Sequence, residues 1–121
     1  MSHSHESLAE FDAFRSRMNE RIGAAGNLTI NRFFNLDHRA YEAGALDVRT
    51  KEMLGLVASL VLRCDDCITY HVVRCVEEGW SDAEIQEAMA VGLVVGGSIV
   101  IPHLRRAFAR LDELRQAPPA S

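Results

Sequence analysis

Cysteine is scarce in this chain, with three residues among 121, and no basic start followed by an apolar run precedes them. An odd number of cysteines without a secretory signal argues against a disulfide-stapled scaffold, and a cytoplasmic location is expected. Excess positive charge is also missing. Thirteen Lys and Arg stand against seventeen Asp and Glu, for a net charge of −4. That balance argues against a phosphate-backbone partner, so no nucleic acid is expected. Long apolar runs are absent as well. The longest, Met53–Leu62 and Val91–Ile101, contain Gly or Ser and fall short of the ~20 residues that span a bilayer, so they read as buried helices with no membrane partner. Strict period-two alternation is missing too, which excludes sheet and leaves an all-α class. There is no internal repeat and no low-complexity linker. Hydrophobic content of 48% with 25% charged residues is ordinary globular composition. One domain over 1–121 is expected, with its core at about 28–115 and with the polar terminus 1–6 and the tail 117–121 outside it.

About six helices are legible. Leu8, Phe11, Phe14, Met18 and Ile22 step by three or four residues, and Gly23 follows as a stop. Asn27 suits the start of a second helix that carries Leu28, Phe33, Phe34, His38 and Tyr41 and ends at Gly44. Asp47 caps a third over Val48–Leu62, apolar nearly all round after Glu52 and therefore central. A junction, Arg63-Cys64-Asp65-Asp66-Cys67, leads to a fourth helix that reaches Glu78, with Gly79 as its stop; paired aspartates suit its first turn. Ser81-Asp-Ala-Glu84 is a capping box opening a fifth helix over Ala83–Val95. Gly96-Gly97 breaks it. Ser98 is expected to cap a sixth helix to Arg115, with Pro102 tolerated in its first turn.

At about 100° per residue, Cys64, Cys67 and His71 project at about 0°, 300° and 340°, on one face, provided that the helix includes Cys64. A CxxC pair lets two sulfurs approach across the first turn of a helix, where the dipole and a nearby base favour the nucleophilic thiolate. His71, one turn beyond Cys67, can exchange its proton. Such a pair attacks a disulfide or a peroxide, one sulfur reacting and the other resolving. Zinc is the rival reading, with Cys64, Cys67, His71 and Cys75 as ligand types. Eleven residues from Cys64 to Cys75 are roughly 16 Å of helical rise. Ligands at ~2.0–2.3 Å from one zinc cannot all come from such a helix, so no metal site is expected. Cys75 reads as core.

Glu52 in an apolar helix either pairs with Arg49 or Lys51 or has a role that offsets the cost of its burial. His3 and His5 sit in the polar terminus, and His38 and His103 show no partner in the sequence. Arg105, Arg106, Arg110 and Arg115, interleaved with Asp112 and Glu113, read as a solvated face. Tyr70 and Trp80 read as packing, with a pocket wall as the alternative. The run Val91–Val95 with Gly96-Gly97 suits close packing against a second subunit.

Glu52, eleven residues, Cys64-x-x-Cys67, three residues and His71 together resemble the alkylhydroperoxidase D-like branch of the carboxymuconolactone decarboxylase family. The flanking text is similar: Tyr41-Glu-Ala-Gly-Ala-Leu46, Glu78-Gly-Trp-Ser-Asp-Ala-Glu-Ile85, Gly96-Gly97 and Ala107-Phe108, so that the likeness spans roughly 28–110. The resemblance implies an all-helical domain assembled as homo-trimers or homo-hexamers. It implies that Cys67 forms a sulfenic acid on meeting a small hydroperoxide or disulfide substrate, that Cys64 is proton donor and disulfide partner, and that Glu52 and His71 relay protons. It also implies no bound cofactor, a redox-active Cys64–Cys67 disulfide, and electrons from an external lipoyl-type dithiol, with a lipoyl-bearing protein or a peroxiredoxin as partner. One position departs from the pattern. Peroxidases of this branch carry a histidine immediately before the second cysteine, where this chain has Asp66, a carboxylate expected to disfavour a neighbouring thiolate. The rival functions are lactone decarboxylation, in which a histidine and arginines handle the substrate, and a non-enzymatic redox-sensing scaffold. The decarboxylases generally lack the cysteine pair.

Overall fold

The computed structural model describes residues 6–116, so His3, His5 and the tail from Ala117 lie outside the described residues. Six α-helices, with no strand among the described residues, make the fold all-α. Two compact units are distinguished, dividing between Glu42 and Ala43.

The first unit holds α1 (Leu8–Ala24) and α2 (Leu28–Ala40). A capping box opens α1: Ser7 Oγ accepts from the Glu10 N–H at 3.0 Å, and Glu10 Oε1 accepts from the Ser7 N–H at 2.8 Å. Gly23 does not stop this helix. It lies inside α1, because the residue that needs the left-handed backbone is Gly26, at φ 75°. Asn27 Oδ1 caps α2 through the Ile30 N–H at 3.0 Å. That helix closes at Ala40, four residues before Gly44, where Tyr41 and Glu42 donate to the His38 and Arg39 carbonyls and tighten the last turn.

The second unit holds α3 (Val48–Leu62), α4 (Asp65–Glu77), α5 (Asp82–Gly96) and α6 (Ile101–Gln116). Asp47 Oδ1 caps α3 through the Thr50 N–H at 2.7 Å, and these Thr50 hydrogen bonds hold the Asp47 carboxyl below its usual range. Ser81 and Glu84 make the reciprocal capping box of α5 at 3.1 and 2.8 Å. Ser98 does not cap the last helix. It opens a single 3-10 turn, Ser98–Val100, with no side-chain cap, because Gly97 at φ 83° has already redirected the chain. Pro102 is the second residue of α6, where no intrahelical partner is lost.

α3 packs against both α4 and α5, and α6 packs on α4 and, to a lesser extent, on α5. The core follows helical spacing: Leu56 and Leu60 from α3, Ile68, Val72 and Cys75 from α4, Ile85 and Met89 from α5, Ala107 and Leu111 from α6, with Val100 from the turn. Burying each large aliphatic side chain contributes ~1.5–3 kcal/mol. α3 is central, yet Leu54 and Leu62 on it remain exposed, at 54% and 77%. Gly92 and Gly96 let α5 sit close to α3. A Cβ at Gly92 would meet the Leu60 side chain at 3.1 Å, and one at Gly96 would overlap the wholly buried Val100. Gly96→Ala is therefore expected to destabilise the fold by ~1–3 kcal/mol through overpacking, despite alanine's better helix propensity. Thermal unfolding beside Gly23→Ala, which meets nothing within 4 Å, checks this; equal melting temperatures in the two variants would disprove it.

Candidate functional site

The link between α3 and α4 aims the cysteines. Arg63 ends α3 in the left-handed conformation, φ 61° and ψ 42°, and it alone among the described non-glycine residues has a positive φ. The conformation costs a side-chain-bearing residue on the order of 1 kcal/mol. It is held by hydrogen bonds from the Arg63 N–H to the Leu60 carbonyl and from the Cys64 N–H to the Ser59 carbonyl. The chain reverses at once, and Cys64 becomes the cap of α4 rather than part of its body. Its Sγ accepts from the Cys67 N–H at 3.3 Å. Cys64 and Cys67 form a disulfide, with Cα atoms 5.3 Å apart. Cys64 is half-buried and Cys67 is exposed.

α4 carries two adjacent stripes. Ile68, Val72 and Cys75 face the core, and Cys67, His71 and Arg74 each stand one residue earlier, turned by about 100° toward the edge of that core. His71 is 7% exposed and Glu52, from α3, is 2% exposed. Nδ1 of His71 lies 2.9 Å from Oε1 of Glu52. A carboxylate acceptor selects the tautomer with hydrogen on Nδ1, so Nε2 is the ring atom that can take a proton. The Tyr70 ring meets His71 edge-on, with centroids 5.2 Å apart. Glu52 is not paired with Arg49 or Lys51. Its second oxygen accepts from Arg74 Nε at 3.4 Å.

Arg74 also donates to Glu77 at 2.8 Å and to Glu78 at 3.1 Å. The Glu77 hydrogen bond pushes its pKa up, with the charge of Glu52 adding to this and burial opposing it. Spacing could have found Arg74, since it lies three residues beyond His71 on the same face. Arg49 is engaged elsewhere. Its guanidinium lies 3.4 Å from the Trp80 ring centroid, and its carbonyl accepts from Trp80 Nε1 at 2.9 Å, which ties the start of α3 to the turn before α5. Trp80 is thus a packing residue. Cys75 is wholly buried, and burial, with Glu52 adding, pushes its thiol up to about 12. It carries negligible thiolate at neutral pH and is inert beside the disulfide. No group of three or more His, Cys, Asp or Glu among the described residues is arranged to hold a metal ion.

A second polar cluster adjoins Cys64. Asp65, the first residue of α4, receives His103 Nδ1 at 2.8 Å on one oxygen and Arg106 Nη1 at 3.2 Å on the other, both from α6. The basic residues of α6 are therefore not merely a solvated face. Arg110 donates to the Thr69 hydroxyl and to Glu113, and Arg115 to Asp82, each bond fastening α6 or its own turn. His103 and Arg106 carried no signal of a partner, since Asp65 lies 38 and 41 residues away. The side chain of Asp66 is exposed and has no ion-pair partner among the described residues.

Solved structures share this architecture, and curated sequence relatives match most of the chain. A Thermotoga maritima protein, described as a carboxymuconolactone decarboxylase family protein and suggested to take part in an antioxidative response, is 62% identical. The match covers 88% of this chain and 91% of that one, with a TM-score of 0.85. A family protein from Legionella pneumophila shares the fold at 23% identity, over 89% of each chain, with a TM-score of 0.67. A protein of Paracoccus denitrificans, known as uncharacterized protein 4 in the cox locus, is 32% identical over 90 residues, which is 74% of this chain and 81% of its own length. No helix among the described residues is long and apolar enough to cross a membrane. The pattern that defines the carboxymuconolactone decarboxylase family matches residues 28–110, and the chain belongs to that family.

Proposed function

We propose that this chain is a thiol–disulfide oxidoreductase that reduces hydroperoxides or small disulfides with the Cys64–Cys67 dithiol. The observation that carries this reading is a disulfide at the start of α4 whose exposed residue, Cys67, lies one helical turn from a buried His71–Glu52 pair. His71, oriented by Glu52, takes the proton of the Cys67 thiol. The Cys67 thiolate attacks the terminal oxygen of an alkyl hydroperoxide, the O–O bond breaks, and the alcohol leaves with a proton. Cys67 is then a sulfenic acid. Cys64 attacks its sulfur, water leaves, and the disulfide forms, so that two thiols and one hydroperoxide give one disulfide, one alcohol and one water. An external dithiol of the lipoyl type returns the two electrons by exchange.

The antioxidative role suggested for the Thermotoga maritima relative supports the reading, as does the cysteine pair. Assembly into homo-oligomers belongs to the same proposal. Val91, Val94, Val95 and Ile99 stand exposed around the end of α5, an apolar surface unusual for a solitary protein. The test is rapid mixing of the reduced chain with cumene hydroperoxide and, separately, with the small disulfide cystine. The expected result is one oxidant consumed per dithiol, with Cys64–Cys67 re-formed, at least about a hundredfold faster than free cysteine reacts at the same pH. Rates equal to those of free cysteine with both oxidants would overturn it.

A further inference from the structure

We propose that Asp65, gripped by His103 and Arg106, is an electrostatic positioning element that sets the redox equilibrium of the Cys64–Cys67 pair. The inference rests on the dithiol reading above.

Cys64 caps α4 through its sulfur, and Asp65 is the next residue along the chain. An unbalanced carboxylate there opposes any negative charge that develops on Cys64 upon reduction. The carboxylate is balanced from α6. Arg106 brings a permanent positive charge to one oxygen at 3.2 Å, and His103 fixes the other at 2.8 Å. The reduced form of a dithiol gains whatever stabilises its thiolate, and the disulfide, being neutral, gains nothing. The balance of charge around Asp65 therefore acts on one redox state only. Asp66, exposed on the same turn, adds a constant negative background that the grip does not reach. The arrangement also fastens the first turn of α4 to α6, which keeps the Cys64 sulfur in its capping position.

The charge account makes a prediction that a purely mechanical clasp does not. Arg106→Gln removes a positive charge and Asp65→Asn removes a negative one, although both break the same contact. Equilibrating the full-length protein with graded mixtures of reduced and oxidised dithiothreitol, at mildly alkaline pH and low salt, reads the disulfide–dithiol constant. Arg106→Gln is expected to shift it about three- to tenfold toward the disulfide, equivalent to ~15–30 mV more reducing. Asp65→Asn shifts it by a similar factor toward the dithiol. The double variant returns to within about twofold of the parent, Arg106→Lys stays near it, and the single shifts shrink as salt is raised. Circular dichroism confirms that each variant is folded.

Single variants that move in the same direction, or that do not move, overturn the proposal while leaving the dithiol function standing. A parent protein whose disulfide cannot be cycled at all overturns both. Opposite signs with cancellation in the double variant establish it.

Discussion

Replacing Cys67 by serine is expected to abolish thiol-dependent peroxide turnover, lowering kcat/KM by at least about a thousandfold, because a hydroxyl cannot take the place of a reactive thiolate. Cys64→Ser should behave differently. Serine is among the best helix-capping residues, so its hydroxyl inherits the Cys67 N–H that Cys64 Sγ now receives at 3.3 Å, and α4 keeps its start. With the exposed Cys67 intact, that variant is expected to react once with a hydroperoxide at close to the parental rate. It then stalls as a sulfenic acid, detectable by mass as one added oxygen and by dimedone trapping. The two cysteines are unequal in environment, and the proposed roles rest on that inequality. Cys67 is the exposed residue of the pair, one turn from His71. Cys64 is half-buried and stabilised by the cap, which suits the sulfur that resolves the intermediate and later leaves when the disulfide is reduced. The opposite result, rapid oxidation of Cys67→Ser with an inert Cys64→Ser, would reverse the roles and make the capping sulfur the nucleophile.

Local signals and distant ones fared differently. Asp47, Ser81 with Glu84, and Asn27 each announce a helix start through a hydrogen bond made three residues away, and α3 begins and ends where its cap and apolar pattern require. Stops were less legible. A glycine signals a stop only where the backbone must turn left-handed, and at the end of α1 that residue is Gly26 rather than Gly23. The Glu52–His71 pair was readable as two spaced residues, but its geometry comes from the packing of α3 on α4. Arg74 was reachable in principle from its place on the His71 face. The Asp65 grip was not, because nothing at Asp65 marks which side chains of a helix some forty residues later will face it.

Glu52 is where stability and chemistry should come apart most widely. Glu52→Ala leaves a nearly buried His71 and a mostly buried Arg74 without their shared acceptor, so a loss of about 3 kcal/mol is expected. That is a large share of a small domain's stability and lowers its melting temperature by more than ~10 °C. Glu52→Gln is the sharper probe. It keeps the volume and one carbonyl oxygen, so most of the packing of α3 on α4 survives, with the melting temperature near that of the parent. The NH2 end of a neutral amide, however, can turn the ring so that Nδ1 accepts rather than donates and Nε2 carries the hydrogen. The proton that the Cys67 thiol must lose then has a poorer destination. Oxidation of the reduced dithiol by hydroperoxide is expected to slow by about 10²–10⁴. An exposed carboxylate at the end of α4 provides the contrast: Glu77→Gln, which removes only an Arg74 hydrogen bond at the surface, should alter the rate by less than about threefold. If Glu52→Gln oxidises within about twofold of the parental rate while Glu52→Ala unfolds, the buried carboxylate is a structural anchor for α3 and α4 alone, and the thiol must lose its proton by another route.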